Sequence, residues 1–368
     1  MIYFDNAATG GHKPDCIINA VMSAIKSCAN PGRSGHALSV ACLERVYACR
    51  NAVCSFLGGY SVERTIFTKN CTEALNIALF GLLHSGDKVL TTVAEHNSVL
   101  RPLHALKERG VKITTIGLTD EGKIDLDALL SAVDGHTKAV IITLASNVTG
   151  TSPDVKKLRQ FLPASTLLIC DGAQACGHVK IDMKADGIDV LAVAGHKGML
   201  AIQGSGALLF SERVDPSPLL FGGTGSESYN LSMPDFYPDR LESGTLSYPA
   251  IVSLGEGAVY LKTKIYEHAD KTMHLTSLLC SGLQNLGEIT LYSSPNPFGI
   301  VAFKHAKYTS ETVAQTLSDD FSICVRGGLH CAPLMHSALR SDGLVRASLN
   351  AFNTEREVFT FLHAINSI

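Results

Sequence analysis

The chain has 368 residues, 46% of them hydrophobic and 18% charged, with a formal net charge of −3. That length exceeds one simple core and fits two domains, and the composition is that of a globular chain. The charge argues against nucleic acid or an anionic membrane as main partner, and no apolar stretch reaches the length of a membrane span. No secretory signal is visible at Met1-Ile2-Tyr3-Phe4-Asp5-Asn6, so the expected compartment is the cytoplasm, where the eleven cysteines would be reduced.

The periodicity predicts a helix over 17–27, a Gly/Pro/Ser-rich loop over 30–36 and a second helix over 37–56. Strand and helix patterns then alternate. Strands are expected at 65–68, 88–93, 111–116, 139–144, 166–170, 190–194 and 207–210, with helices opening at Thr72 and covering 98–108 and 155–161. This alternation implies right-handed βαβ crossovers and a mostly parallel sheet flanked by helices. The stretch 221–249 is too polar for a core and too long for an ordinary connection, so it reads as a functional or interface loop. A long helix over 250–282 follows, then strands near 289–292, 299–303 and 323–325. The expected division is a large domain over 16–258 and a smaller α/β domain over 259–368 joined by residues 1–15.

Polar residues collect where the strands end. The run Thr166 to Cys170 stops on Asp171-Gly172-Ala173-Gln174, and the run Val190 to Ala194 stops on Gly195-His196-Lys197. A lysine and an aspartate delivered by neighbouring strands suit pyridoxal phosphate: the lysine forms the Schiff base and the carboxylate keeps the pyridine nitrogen protonated. Taken singly, Asp171 could be a helix cap and Lys197 an ordinary loop lysine. Thr72 stands where a strand meets a helix and could bind phosphate or merely cap the helix. His96, in Glu95-His96-Asn97, could lie on an aromatic cofactor or be a plain loop histidine. Asn147, in Ser146-Asn147-Val148-Thr149-Gly150, could bond a ring hydroxyl. No Cys/His spacing suggests a metal site.

These junctions, the opening Tyr3-Phe4-Asp5-Asn6-Ala7-Ala8-Thr9 and the closing Val345-Arg346-Ala347-Ser348-Leu349-Asn350-Ala351-Phe352-Asn353-Thr354 resemble the class V aminotransferase family, pyridoxal-phosphate enzymes of fold type I. The resemblance implies Lys197 as the Schiff-base lysine and Asp171 as the pyridinium partner. Gln174 and Asn147 would lie at the phenolic oxygen, His96 against the ring face, and Thr72 and His196 at the phosphate. Thr245, in Glu242-Ser243-Gly244-Thr245, would reach the phosphate from the other subunit of a homodimer with shared active sites. Arg346 would grip a substrate carboxylate, for which a planar two-pronged cation is well shaped.

Arg326-Gly327-Gly328-Leu329-His330-Cys331-Ala332-Pro333 resembles the Arg-x-Gly-His-His-Cys-Ala segment of group II cysteine desulfurases and selenocysteine lyases. The implied nucleophile is Cys331, helped by nearby Arg326 and His330, whereas the other cysteines are expected among apolar neighbours. His36, in Arg33-Ser34-Gly35-His36, resembles a further active-site segment of that group. Ala194 and Leu329 depart from the family pattern, where a phosphate-binding serine or threonine and a first histidine stand. The implied reaction is cysteine desulfuration, leaving alanine and a persulfide on Cys331 for a sulfur-acceptor protein, with iron–sulfur cluster assembly a possible destination. The alternatives are a selenocysteine lyase and transamination of a small amino acid.

Overall fold

The computed structural model describes residues 1–368. The N-terminal strand β1 (Ile2–Tyr3) leads to α1 (Asp15–Lys26) and α2 (Ala37–Phe56). An alternating stretch follows: β2 (Thr65–Thr68), α3 (Cys71–Leu82), β3 (Lys88–Thr92), α4 (Asn97–Glu108), β4 (Lys112–Ile116), α5 (Leu126–Ala132), β5 (Thr137–Thr143), α6 (Val155–Phe161), β6 (Leu167–Asp171), α7 (Met183–Asp186), β7 (Val190–Ala194) and β8 (Gly206–Phe210). Residues 211–247 carry no regular element. The remainder is α8 (Tyr248–Gln284), β9 (Ile289–Leu291), β10 (Ile300–His305), α9 (Ser310–Phe321), β11 (Ile323–Cys324), β12 (Arg326–Gly328), α10 (Pro333–Ala338), β13 (Leu344–Ser348) and α11 (Glu355–Asn366).

Seven strands form the main sheet in the order β2-β8-β7-β6-β5-β3-β4. Only β8 runs against the others, pairing antiparallel with both β7 and β2. Strands β6 and β7 are buried along their whole length, which explains their unbroken apolar runs: a parallel strand covered by helices on both faces has no solvent side on which to alternate. The chain order reverses at β3, with β4 on one side and β5 on the other. At such a switch point the carboxyl ends of parallel strands leave a crevice.

A four-stranded antiparallel sheet, β12-β13-β10-β9, forms a second layer. The predicted strand near 323–325 is not part of it; β11 joins β1 in a separate two-stranded parallel sheet. This brings Phe4 into a core with Phe303, Val345 and Phe361. The long helix α8 serves two cores. Leu254, Ala258, Leu261 and Ile265 pack in the cluster under the main sheet, and Leu275, Leu279 and Leu283 pack with Phe4 and Phe303.

The cysteines divide less simply than expected. Cys42, Cys49, Cys54, Cys170, Cys176 and Cys280 are buried, but Cys16, on the outer face of α1 that also leaves Ile18, Met22 and Ile25 uncovered, is exposed, as is Cys28 just beyond the end of that helix. No helix is long and apolar enough to cross a membrane.

Candidate active site

The carboxyl ends of β5, β6 and β7 and the N-termini of α3 and α4 surround a cavity of about 230 Å³, and Arg326, His330 and Arg346 close it from the smaller sheet. Asp171 and Lys197, expected to meet, both line it. Asp171 ends β6, buried, with Oδ1 accepting the Ala173 N–H at 2.9 Å and lying 3.4 Å from Cys71 Sγ. Lys197 lies on the turn that follows β7. Its withdrawal from bulk water lowers its pKa; the charge of Asp171 opposes that, and Arg346 and Arg326 add to it. An amine so placed gives up its proton more readily than a surface lysine.

Thr72 does not cap α3. Asn70 does, accepting the Glu73 N–H through Oδ1 at 2.9 Å. The Thr72 hydroxyl is thereby left to the cavity, together with the first backbone N–H groups of a 12-residue helix, which no intrahelical carbonyl can satisfy. That arrangement suits an anion. His196 lines the same cavity, its Nδ1 3.1 Å from Thr9 Oγ1, and burial followed by the charge of Lys197 brings its pKa to about 4. Ala194 also lines the cavity and brings no donor.

His96 caps α4: its Nδ1 accepts the Ser98 N–H at 3.0 Å, which fixes the ring at the cavity wall. Burial and Lys197 lower its pKa to about 4, so the imidazole is neutral. Asn147 donates Nδ2–H to the His330 carbonyl at 2.7 Å, and Gln174 donates Nε2–H to the Ala7 carbonyl at 3.1 Å. Arg346 is almost wholly buried. It donates from Nη1 to the Asn147 carbonyl at 2.9 Å and from Nη2 to Asp5 Oδ1 at 3.1 Å.

Seven buried polar side-chain atoms lack a partner, and four of them belong to residues around this cavity: Asn147 Oδ1, Gln174 Oε1, His330 Nδ1 and Arg346 Nε. Each buried orphan costs about 1–3 kcal/mol, so their concentration here points to a polar ligand. Acceptors opposite a hydroxyl, a carboxylate opposite a ring nitrogen, an amine, and a helix N-terminus for a phosphate form a donor set that fits pyridoxal phosphate.

The segment Arg326–Pro333 carries Cys331 past the rim. Cys331 is exposed, its Sγ 3.8 Å from Arg326 Nη2, and its carbonyl accepts the Asn97 N–H at 2.8 Å. His330 and Cys331 both take positive φ, +50° and +57°. The expected help from His330 is not there. Its ring is buried, Nε2 lies 3.0 Å from the Leu344 carbonyl, and burial and then Arg346 bring its pKa to about 2, so it carries no charge to share with the sulfur.

Besides Cys331, two expected residues lie outside this cavity. His36 is exposed and caps α2, its Nδ1 accepting the Ser39 N–H at 3.2 Å. Thr245 is exposed on a neighbouring cavity of about 150 Å³, with Lys69, Glu73 and Ser243. Cys71, Glu95 and Asp5 bear on the site without a motif of their own in the sequence. Glu95 is buried, accepts from Thr92 Oγ1 at 2.7 Å and Thr143 N at 3.0 Å, and burial raises its pKa to about 8. Its place just before His96 was visible in the sequence; its burial was not.

A class-V aminotransferase family model matches residues 2–361. A probable cysteine desulfurase of Methanothermobacter thermautotrophicus is 33% identical over 97% of this chain and 92% of its own length. Another, from Pyrococcus abyssi, is 33% identical over 100% and 94%. Among solved structures, the apo cysteine desulfurase of Thermococcus onnurineus superposes with a TM-score of 0.91 at 31% identity, covering 100% of this chain and 94% of that one. An Escherichia coli cysteine desulfurase in its S-sulfonic acid form superposes at 0.88 with 25% identity, covering 99% and 94%. The chain therefore belongs to the class-V aminotransferase family and has the fold type I architecture of pyridoxal-phosphate enzymes.

Proposed function

We propose that the chain is a pyridoxal-phosphate-dependent cysteine desulfurase, which takes sulfur from L-cysteine onto Cys331 and releases L-alanine. The observation that carries this reading is an exposed thiol beside a guanidinium, Cys331 Sγ to Arg326 Nη2 at 3.8 Å, on the segment whose Arg326 and His330 line the Lys197–Asp171 cavity. Transamination has no use for such a thiol. The relatives named as cysteine desulfurases, similar over nearly their full length, support the same reading.

The cofactor, when bound, supplies an electron sink conjugated to the substrate α-carbon. The side chains do the rest. Asp171 would hold the proton on the ring nitrogen, and His96 would cover the ring face. Gln174 and Asn147 would meet the ring hydroxyl, while Thr72 and His196 would hold the phosphate at the start of α3. Lys197, its pKa lowered, takes the α-proton and returns it. Arg346, oriented by Asp5 and the Asn147 carbonyl, receives the substrate carboxylate, with Asn147 and Arg326 as further contacts and His36 reaching in from the second copy. The Cys331 sulfur anion attacks the substrate sulfur. An S–S bond forms and the C–S bond breaks; its electron pair stays with the carbon skeleton, which takes up protons and leaves as alanine.

The same reading makes the protein a cytoplasmic homodimer with shared active sites, in which Thr245 and His36 serve the second copy. It is supported by their exposure and by uncovered Leu38, Leu43 and Tyr47 on α2 and Phe221, Tyr229 and Leu231 in the 211–247 stretch. It divides the chain into a cofactor-binding part, 16–258, and a smaller part, 259–368 with 1–15, that carries Cys331. A protein sulfur acceptor, feeding iron–sulfur assembly, would take the persulfide.

Mass spectrometry of the reconstituted protein after incubation with L-cysteine tests the proposal. One extra sulfur on the Cys331 peptide, with alanine formed in the absence of a keto acid, is expected. Keto-acid-dependent turnover untouched by Cys331→Ala would overturn it.

A further inference from the structure

Cys71 is the first residue of α3 and is buried. Its position is fixed from two sides. Asn70 caps the helix in front of it, and β8 passes so close that a Cβ on Gly206 would come within 2.9 Å of Asn70 Cα. From there Sγ lies 3.4 Å from Asp171 Oδ1. Burial and the charge of Asp171 push the Cys71 thiol well above its ordinary pKa, so the sulfur keeps its proton and can only be the donor.

The second donor to Oδ1 is the Ala173 N–H at 2.9 Å. Two donors from two different elements thus converge on one carboxylate oxygen, and no protein donor meets Oδ2, although Asp171 is only 2% exposed. Oδ2 is not one of the fully buried unpartnered atoms; it keeps the residue's small exposure and meets the cavity, where a carboxylate oxygen with no protein partner favours a cation or a donor. On the reading of this cavity as the cofactor site, the protonated ring nitrogen is that donor.

We propose that Cys71 is a positioning residue: its S–H holds Asp171 by Oδ1 and so presents Oδ2 to the ring nitrogen of pyridoxal phosphate. Cys71 lines the cavity wall, but the task assigned to its thiol lies away from the reacting atoms. It acts on the orientation of the one carboxylate on which ring protonation depends. It is distinct in task from Cys331, which is exposed and nucleophilic.

The test is equilibrium binding to the full-length apoprotein of two probes: pyridoxal phosphate, and its deaza analogue with carbon in place of the ring nitrogen. The thiol is a weak donor to a charged acceptor, so Cys71→Ala should weaken pyridoxal phosphate by roughly three- to tenfold. The deaza analogue, having no nitrogen for Oδ2, should bind the variant as it binds the wild type. Cys71→Ser keeps a donor and should recover the loss. Equal weakening of both probes would mean that Cys71 only fills space, and would overturn the proposal. So would an unchanged affinity in Cys71→Ala, or a serine variant as weak as the alanine one. Wild-type protein that binds neither probe would instead bring down the cofactor reading itself, and this inference with it.

Discussion

The cavity floor and the thiol segment face each other and are built on opposite terms. On the floor, Asp171, Asn147 and Gln174 are buried, each held by a hydrogen bond with another part of the chain. Across the opening, Cys331 is exposed, with two successive residues in the left-handed region. The floor must hold a ligand and move protons in one geometry, which rigid, dry surroundings favour. The thiol must meet a substrate sulfur and then an acceptor outside the cavity, which burial would forbid.

The largest expected effects separate these tasks. Lys197→Ala removes the proton shuttle and should lower alanine production by about a thousandfold. Cys331→Ala should abolish persulfide formation equally while leaving cofactor affinity unchanged. Parallel cofactor titrations and alanine assays check both. Loss of cofactor binding in Cys331→Ala would break the comparison, since the two regions would then be one structural unit.

The next effect concerns what the floor rests on. Arg50 and Glu242 form a buried two-pronged pair, at 2.5 and 2.8 Å, and Glu242 also accepts the Phe67 N–H at 2.6 Å. The pair fastens the irregular 211–247 stretch to α2 and to β2, just ahead of the start of α3. Glu242→Ala leaves a guanidinium buried without its partner and should destabilise the fold by about 3–5 kcal/mol. Urea unfolding measures it. A loss below 1 kcal/mol would mean that the anchoring is unimportant.

A smaller effect comes from Glu95. Between its ordinary value of 4.5 and about 8, the folded chain holds a proton at Glu95 that the unfolded chain has released. Stability from this group is therefore full below pH 4.5 and falls as pH rises toward 8, by on the order of a few kcal/mol. The half-buried histidines act with the opposite sign at lower pH: His96 and His196, at about 4, destabilise the fold as pH falls below 6.5. Glu95→Gln keeps a neutral side chain and should flatten the decline between pH 6.5 and 8 in the apoprotein. Urea midpoints across that range check it, and an undiminished slope would place the proton elsewhere.

What could be read in advance follows from the range of each interaction. The bounds of α2, β2, α6 and β7 agree with their sequence patterns because period and burial are local signals. Asp171 and Lys197 were legible because each closes an apolar run, and adjacent parallel strands bring run ends together. The two roles open to Thr72 are separated only by the structure, since Asn70 and Thr72 are both good caps and only the backbone decides between them. Asp5 beneath Arg346 and Cys71 beside Asp171 depend on contacts across 341 and 100 residues, which no local pattern records. His330 stands next to Cys331 in sequence, but its ring bonds the Leu344 carbonyl and feels the charge of Arg346, contacts with β13 that its own segment does not record.

The smallest prediction bears most directly on why the thiol segment has its form. A non-glycine residue in the left-handed region costs about 1 kcal/mol or more, and Cys331 at φ +57° bears that cost at a solvent-exposed position where packing gives little in return. Glycine there would relieve the strain while adding freedom to the unfolded chain, so Cys331→Gly should stabilise the protein by about 0.5 kcal/mol even as it removes the nucleophile. Cys331→Ala, which keeps the Cβ, should show no such gain. Urea unfolding of the two variants side by side isolates the backbone contribution from that of the sulfur. A glycine variant no more stable than the alanine one would mean that the conformation is unstrained, and the contrast between a relaxed floor and a strained thiol segment would have to be given up.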